Sequence, residues 1–207
     1  MPAPEPSPKF SDRPTYMANY LPPSASGLTM AWTTWDGTPA SSVSLRWENE
    51  GWTAEVGLHT DNATAVIRMS AMWKVQQLLL FRDLPDPDLW LATDGHGRWG
   101  EMNGAHRTEL DGCVDIDFAN TPFTNSVLTH RLPLHVGHTA DIKVITIDIE
   151  TLGVVSRPHR YTRIDSHTWE YTSLASGAQQ HAVVDECGFV VNEHEVFRRV
   201  IDDAHNS

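Results

Sequence analysis

Two aspartates separated by one residue, Asp115 and Asp117, have the spacing in this chain that comes nearest to catalytic chemistry. Val114, Ile116 and Phe118 alternate with them, which is the period of a β-strand. On a strand the two Cβ atoms share one face at about 6.5 to 7 Å, a separation compatible with paired-carboxylate catalysis. Alternating acidic residues are also typical of a solvated face or of partners for cross-strand arginines, and we favour that interpretation.

Hydroxyl and amide side chains follow in the run Thr121-Pro122-Phe123-Thr124-Asn125. Such groups could bind the hydroxyls of a sugar. Thr and Asn also close turns by bonding to nearby backbone, and the sequence favours a turn here. The proline ends the preceding strand because it cannot donate to the ladder.

The histidines nearest to these residues match no known metal-binding pattern. The set His130, His135, His138 and Asp141 repeats no ligand spacing, so we predict no metal site. Glycine-rich phosphate-binding motifs and the Gly-x-Ser-x-Gly elbow are missing from the sequence as well, and we predict no cofactor. The two cysteines, Cys113 and Cys187, are expected to be buried thiols and not a bridge.

Short β-compatible segments separated by Gly, Asp, Asn and Pro recur along the chain at the spacing of antiparallel sheets. The predicted strands are 28–35, 43–48, 52–59, 64–70, 73–82, 88–93, 113–118, 141–149, 158–164, 168–174, 179–185 and 188–192. Segment 73–84 is compatible with a helix, but its alternation makes a strand at least as good an interpretation. Segment 193–204 has apolar residues at helical spacing and predicts one short C-terminal helix.

The domain organisation follows from composition. Prolines at alternate positions, Pro2, Pro4, Pro6 and Pro8, predict that residues 1–27 form a flexible N-terminal segment. Residues 28–207 are then expected to form a single domain, large enough to bury a core without a metal or disulfide. Eight tryptophans spread over the predicted strands supply apolar area for a filled core or for the wall of an apolar cavity.

The chain is acidic. It has 27 Asp and Glu against 15 Lys and Arg, a formal net charge of −12. This charge repels phosphate backbones, so nucleic acid is excluded as a partner. No apolar run reaches the roughly 20 residues of a transmembrane helix, and the N-terminus has no secretory pattern, so a cytoplasmic protein is expected.

Five motifs in the sequence together form a specific pattern. The longest is Asp-Gly-Cys-Val-Asp-Ile-Asp from residue 111, followed by Thr-Pro-Phe-Thr-Asn from residue 121. The others are Asp-Gly-His-Gly-Arg-Trp from residue 94, His-Arg-Tyr-Thr-Arg from residue 159, Val-Asp-Glu-Cys-Gly-Phe-Val from residue 184 and Phe-Arg-Arg from residue 197. Together these motifs resemble the putative glycolipid-binding family of bacterial proteins, and the resemblance extends over residues 31–199.

The resemblance implies a mainly β fold, a strongly curved antiparallel sheet that forms a spiral β-roll or half-open barrel. Such a roll is similar to that of periplasmic lipoprotein carriers and wraps one concave apolar face. It implies a protein that binds a glycolipid or fatty-acyl amphiphile without catalysis, with the tail in the concavity and the polar head near the rim. The residues expected at the head, chosen because they fall inside or beside the matched motifs, are Asp115, Asp117, Thr124, Asn125, Arg131, Arg160 and Tyr161.

Two other classes of function stay open at this point. One is a hydrolase acting on a lipid or sugar ester, with Asp115 or Asp117 as general base, which would require the carboxylate to be desolvated in a pocket. The other is a protein-interaction module, with homodimerisation through an edge strand.

Overall fold

One sheet of fourteen strands forms the framework of the protein in a computed structural model, which describes residues 20–24, 26–83, 85 and 87–200. The strands are β1 (Leu28–Thr34), β2 (Pro39–Glu48), β3 (Gly51–Leu58), β4 (Ala63–Ser70), β5 (Val75–Phe81), β6 (Leu89–Thr93), β7 (Trp99–Gly100), β8 (Asp115–Asp117), β9 (Thr139–Ile147), β10 (Val154–Arg163), β11 (Thr168–Ser173), β12 (Gln179–Val184), β13 (Val190–Glu193) and β14 (Phe197–Arg199). Within the described residues one α-helix occurs, α1 (Phe123–Arg131), with 3₁₀ turns at His59–Asp61 and Thr108–Leu110.

The strand order follows the chain almost throughout. It runs β7-β6-β5-β4-β3-β2-β1-β14-β13-β12-β11-β10-β9-β8. Each pairing between neighbours is antiparallel except β8 with β9, which is parallel. The sheet is rolled, because Leu78 of β5 and Ile145 of β9, near its opposite ends, belong to one buried core. The predicted fold, a curved antiparallel sheet that stays open, is confirmed.

Side-chain and loop-backbone hydrogen bonds bridge the gap between the two ends of the sheet where strands do not pair. The indole nitrogen of Trp99 donates to the carbonyl oxygen of Cys113 (2.8 Å), and the amide of Gly112 donates to the carbonyl of Gly97 (2.9 Å). Arg82 donates from Nη1 to the carbonyl oxygen of Glu150 (3.0 Å). We call these contacts the closing seam.

The twelve strands predicted from the sequence are all present, and segment 73–84 contains a strand and no helix. Two short strands, β7 and β14, were not predicted. The turn between β6 and β7 is a glycine-bearing hairpin: Gly95 and Gly97 have φ values of +80° and +88°. The amide of Asp94 donates to the carbonyl of Arg98 across it (3.1 Å).

The predicted C-terminal helix is wrong for the residues that can be compared, and residues 201–204 lie outside the described chain. Strand β13 turns at Glu195, which has a φ of +62°, and returns as β14. β14 fills the place between β13 and β1, and Phe197 is buried in it. Sheet pairing and burial therefore override a helical apolar spacing that is only a few residues long.

The folded body also extends upstream of the boundary expected at residue 28. The amide of Leu21 donates to the carbonyl of Glu186 (2.9 Å), and the Tyr20 hydroxyl accepts from the indole of Trp169 (2.7 Å). The rest of the N-terminal prediction, residues 1–19, lies outside the described residues.

No helix in the described part of the chain is long and apolar enough to cross a bilayer.

Candidate functional site

Helix α1 lies inside the roll, although it is polar. Every residue from Phe123 to His130 is buried. The helix was not predicted from the sequence, because only Phe123, Val127 and Leu128 among its nine residues are apolar, too few to reveal an apolar stripe. Its polar side chains must find partners inside the protein, since an unpaired buried polar group is costly.

Strand β8 places its two carboxylates against this helix. Arg131, at the end of α1, binds Asp115 with a fork of two hydrogen bonds, Nε to Oδ1 and Nη2 to Oδ2, both 2.5 Å. The Asp115 side chain is fully buried, and 14% of the Arg131 side chain is exposed. Burial raises the pKa of Asp115 and the Arg131 charge opposes that shift. The geometry is that of a charge-assisted bidentate pair.

Asp117 lies two residues further along the same face. It accepts a hydrogen bond from the Thr124 hydroxyl (3.3 Å). Burial raises its pKa, while the charge of His159 and the bond from Thr124 oppose the shift. Burial conversely lowers the pKa of His159. The prediction that the aspartates occupy a solvated face is wrong, because β8 has both of its faces inside the roll. Asp115 does have an arginine partner, but this arginine lies on α1 and not on a neighbouring strand.

A chain of hydrogen bonds extends the site to β10, β11 and β13. The Tyr161 hydroxyl donates to Asn125 Oδ1 (2.9 Å), and Asn125 Nδ2 donates to Glu193 Oε1 (2.7 Å). The Tyr171 hydroxyl donates to Glu193 Oε2 (3.1 Å). Burial raises the pKa of Glu193 to about 7, while Asn125 and Tyr171 oppose the shift. Burial also raises the pKa of both tyrosines, which stay neutral donors.

These residues form one site, which we call the interior polar cluster. Its members are Asp115, Asp117, Thr124, Asn125, Arg131, His159, Tyr161, Tyr171 and Glu193.

Six of the seven side chains predicted for a ligand head come together in the interior polar cluster. The seventh, Arg160, is on the opposite face of β10, where it forms an exposed ion pair with Asp141 (2.7 Å). Sequence reasoning missed His159, Tyr171 and Glu193. A signal existed for His159, since it alternates with Tyr161 inside a matched motif; Glu193 and Tyr171 carried no comparable signal.

The residues considered as a metal set do not come together as one group, although the rings of His135 and His138 are neighbours (centroids 5.6 Å apart). His130 is buried, and its Nδ1 donates to the carbonyl of Ser126 (2.6 Å). Its ring stacks on Trp73 (centroids 4.1 Å apart) and contacts Phe189 (4.7 Å). Asp141 is paired with Arg160. Among the described residues, no group of three or more His, Cys, Asp or Glu side chains is arranged to hold a metal ion.

Both cysteines are free thiols. Burial raises the pKa of Cys113 and of Cys187. The environment of each therefore disfavours the thiolate that a nucleophile would need.

A groove of about 470 Å³ opens at one end of the roll. The groove is lined by both apolar and polar side chains: Tyr20, Leu21, His135, Val136, Arg163, Ser166, His167 and Glu186. Leu21 is 57% exposed and Val136 54%. Gly188 permits the approach of Tyr20, since a Cβ there would lie 2.6 Å from the Tyr20 ring. We call this depression the end groove.

Five of the eight tryptophans are buried in the core, and no tryptophan lines this groove. Trp32, Trp99 and Trp169 are each 1% exposed. A second depression, about 540 Å³, lies on the outer face of β1 to β4 and is lined mostly by small and hydroxyl side chains such as Ser42 and Thr64. The expected concavity walled by indole rings is therefore a packed core around α1, and the two grooves lie at the surface.

Fold and site together define an open β-roll protein that keeps a hydrogen-bonded polar cluster around an internal helix. The chain belongs to the family described as putative glycolipid-binding, whose model matches residues 29–199. It is similar to the crystal structure of a DUF1089 family protein from Pseudomonas aeruginosa, with 27% sequence identity and a TM-score of 0.67. That match covers 78% of this chain and 92% of the other. No protein of curated function matches the chain.

Proposed function

We propose that this protein binds an amphiphile of the glycolipid class without catalysing a reaction on it. The polar head binds at the interior polar cluster, through Asp115, Asp117, Thr124, Asn125, Arg131 and Tyr161. The observation that carries the proposal is the Asp115–Arg131 pair, a charged fork kept inside the roll with the Asp115 side chain fully buried. A pair of this kind contributes little net stability compared with apolar residues of the same volume, so a recognition role accounts for it better.

The chemistry of the cluster suits a sugar head. Vicinal hydroxyls donate to carboxylates and accept from a guanidinium, and Asn125 and Tyr161 add further polar partners. Arg131 is the member of the ion pair that reaches solvent, and His135 and Val136 of the end groove follow it by four and five residues. We propose that the hydrocarbon part lies in the end groove, against Leu21 and Val136. Its volume is within the range of small-molecule sites.

Native mass spectrometry tests the proposal with a matched pair of double variants. Protein purified from cells is incubated with a bacterial lipid extract. Asp115→Asn with Arg131→Met removes the buried pair without leaving an unpaired charge, and Asp141→Asn with Arg160→Met removes the exposed pair on the outer face. We expect the wild type and the second double variant to retain lipid, and the first to lose at least 90% of the retained signal, on the order of 1.4 kcal/mol or more.

The two ways of failing are distinct. Absence of captured lipid on the wild type contradicts lipid binding itself. Equal retention by both double variants contradicts the location of the head and leaves lipid binding intact.

A hydrolase is the second candidate, and the environment of Asp117 favours it. Asp115 has both oxygens engaged by Arg131, whereas Asp117 accepts one weak hydrogen bond, has a raised pKa and lies near His159. A desolvated carboxylate next to an imidazole is a candidate general base. Turnover of nitrophenyl esters or glycosides that disappears in Asp117→Asn, with the fold unchanged by circular dichroism, would support this function. Unchanged turnover in that variant would exclude it.

The interaction module, homodimerisation through an edge strand and a cytoplasmic location stay predictions. The sheet edges are short, since β7 has two residues and β8 three. Light scattering at several protein concentrations tests dimerisation.

A further inference from the structure

Arg163 lines the end groove and carries a buried positive charge, with only 6% of the residue exposed. Its guanidinium donates to three backbone carbonyls, from Nε to Asp165 (3.3 Å), from Nη1 to Leu134 (3.0 Å) and from Nη2 to Ser166 (3.2 Å). A guanidinium has five N–H groups. One N–H group on each terminal nitrogen therefore has no acceptor among the described residues.

This guanidinium also has no counter-ion, since no carboxylate among the described residues forms an ion pair with it. The carboxylate of Asp165 is engaged by the backbone, because its Oδ1 accepts from the amides of His167 and Thr168 (both 2.8 Å). The ring centroids of Tyr20 and Trp169 lie 5.1 and 5.7 Å from the guanidinium carbon, a favourable contact for a cation. The rings do not neutralise the charge, and a buried charge usually has a partner of opposite sign.

The groove offers further hydrogen-bond donors around Arg163. Ser166 Oγ and His167 Nδ1 share a hydrogen bond (2.8 Å). A neutral imidazole has one N–H group, so this pair keeps one donor free in either tautomer, the serine O–H or the N–H at Nε2. The Tyr20 hydroxyl accepts from the indole of Trp169, which leaves its own hydrogen without an acceptor among the described residues. Carboxylates and phosphates are the groups that an arginine with such neighbours recognises.

The charges of the lining suit a group with one negative charge. Among the described residues that line the groove, Arg163 is the only Lys or Arg and Glu186 is the only Asp or Glu. Glu186 is exposed, so water screens its charge more than that of the buried arginine. A monoanion would be neutralised at Arg163. A group with more negative charge would be repelled by Glu186 and by the net charge of −12.

Arg163 lies one step outward from the interior polar cluster, at the end of β10. The buried positions of this strand run His159, Tyr161, Arg163, so Arg163 follows the cluster residue Tyr161 by about 6.6 Å along the strand. Leu21 and Val136 line the same groove and are more than half exposed. In an amphiphile with its sugar at the cluster and its hydrocarbon against Leu21 and Val136, the group at Arg163 is the link between the two.

We propose that Arg163 binds a phosphodiester, so that the ligand is a phosphoglycolipid in which a monoanionic phosphate joins the sugar to the hydrocarbon. This inference rests on the proposed function. A carboxylate has the same charge, but it is a terminal group and cannot join two parts of a ligand. A phosphodiester is bonded to both parts and keeps two free oxygens, which match in number the two N–H groups that the guanidinium has left.

Calorimetry with two ligands of the same sugar and tail tests the inference: octyl glucoside and the octyl phosphodiester of glucose 1-phosphate. We expect the wild type to bind the phosphodiester at least about tenfold more tightly, which is about 1.4 kcal/mol. Arg163→Gln removes the charge and should bring the ratio of the two affinities close to one. Arg160→Gln removes an exposed cation from the outer face of the same strand and should leave the ratio unchanged.

A second variant avoids the backbone contacts of Arg163, whose loss could disturb the fold. Glu186→Gln changes an exposed side chain and removes the acidic charge of the lining. It should tighten binding of the phosphodiester by roughly two- to threefold, the weight of an exposed charge, and leave the affinity for octyl glucoside unchanged. Dimethyl phosphate, which has neither sugar nor tail, should bind much more weakly than the octyl phosphodiester.

The outcomes separate the two proposals. Equal affinity of the wild type for both octyl ligands, a preference that survives in folded Arg163→Gln, or no gain in Glu186→Gln overturns the phosphodiester while glycolipid binding stands. Dimethyl phosphate binding as tightly as the octyl phosphodiester would indicate a site for free phosphate esters and would overturn the phosphoglycolipid. No binding of either octyl ligand overturns the proposed function and this inference with it.

Discussion

At the scale of single residues, the chain contains two aspartate–arginine forks in opposite environments. Asp115–Arg131 is buried between β8 and α1, and Asp141–Arg160 is about half exposed on the outer face. Removing one partner of a buried pair strands a charge in the interior, whereas an exposed pair is screened by water. The two pairs share one bond geometry, but removing a partner is expected to change the free energy of unfolding much more at the buried pair than at the exposed one.

Asp115→Asn should therefore lower the free energy of unfolding by about 3–5 kcal/mol, because Arg131 is left without its counter-ion. Urea denaturation monitored by tryptophan fluorescence measures the change. Asp141→Asn is the control and should leave the midpoint where it is. Adding Arg131→Met to Asp115→Asn should recover most of the loss, and a double variant as unstable as the single one would contradict this account.

Glu193 makes stability depend on pH. Its pKa is raised from 4.5 to about 7, so the folded state binds this proton more tightly than the unfolded state. The stabilising contribution is complete below pH 4.5 and is lost as the pH rises through 7. Glu193→Gln has no such proton. Relative to the wild type it should gain on the order of 3 kcal/mol between pH 4.5 and 8.

Thermal or urea unfolding of both proteins at several pH values measures that gain. Glu150→Gln, at an exposed turn position, should keep the same difference from wild type throughout. A constant difference for Glu193→Gln would show that the carboxyl is ionised in the folded protein across the range.

At the scale of elements, helix α1 depends on its hydroxyl side chains for its place in the roll. The Ser126 hydroxyl accepts from the amide of Val190 (2.9 Å), and Thr129 donates to the carbonyl of Gly188 (2.8 Å). Both anchor the helix to the segment that leads into β13. They satisfy backbone groups that water cannot reach.

Ser126→Ala should cost about 1–3 kcal/mol of folding stability, because the Val190 amide is left buried without an acceptor. Chemical denaturation gives the value. Ser44→Ala, on the outer face of β2, is the matched control and should stay within about 0.5 kcal/mol of wild type. Equal effects at the two serines would mean that water replaces the lost hydroxyl at Val190.

How far the elements could be predicted depends on what stabilises each one. Strands with one buried face show their period in the sequence, and these were found. Helix α1 was missed because its partners, such as Glu193 of β13 and Gly188 in the turn before it, are distant in sequence and leave no local pattern. The C-terminal helix was predicted wrongly for a related reason. Phe197 and its neighbours have the local apolar spacing of a helix, but pairing with β1, which is distant in sequence, decides the structure.

The candidate site, too, could be predicted only where a local sequence pattern exists. The matched motifs identified Asp115, Thr124 and Tyr161 from the sequence. Their burial could not be predicted, because alternation on β8 does not reveal that a helix covers the polar face. Arg160 was named with Tyr161 since the two are adjacent. Adjacent residues of a strand point to opposite faces, which explains why only one of them reaches the interior.

At the scale of the whole molecule, the roll is held together where strand pairing ends. Fourteen strands follow one another without closing into a barrel, so the closing seam depends on side-chain and loop contacts and not on strand pairing. Arg82 spans it: besides its bond to Glu150, it donates to the carbonyl of Ile149 (3.3 Å) and pairs with Asp88 (3.1 Å). A seam of this kind is expected to open at lower free energy than the paired strands.

Arg82→Met should therefore accelerate amide exchange in the turn at 148–153 and in β6 by about tenfold, which corresponds to about 1.4 kcal/mol of local opening, and leave the β2–β3 hairpin unchanged. The methionine keeps part of the packing but cannot donate hydrogen bonds to the carbonyls of Ile149 and Glu150. Hydrogen–deuterium exchange by mass spectrometry resolves these segments. Arg46→Met, which removes an exposed partner of Glu55 from β2, is the control and should not affect the seam. Uniform acceleration over all strands in Arg82→Met would instead indicate that the roll opens only by unfolding as a whole.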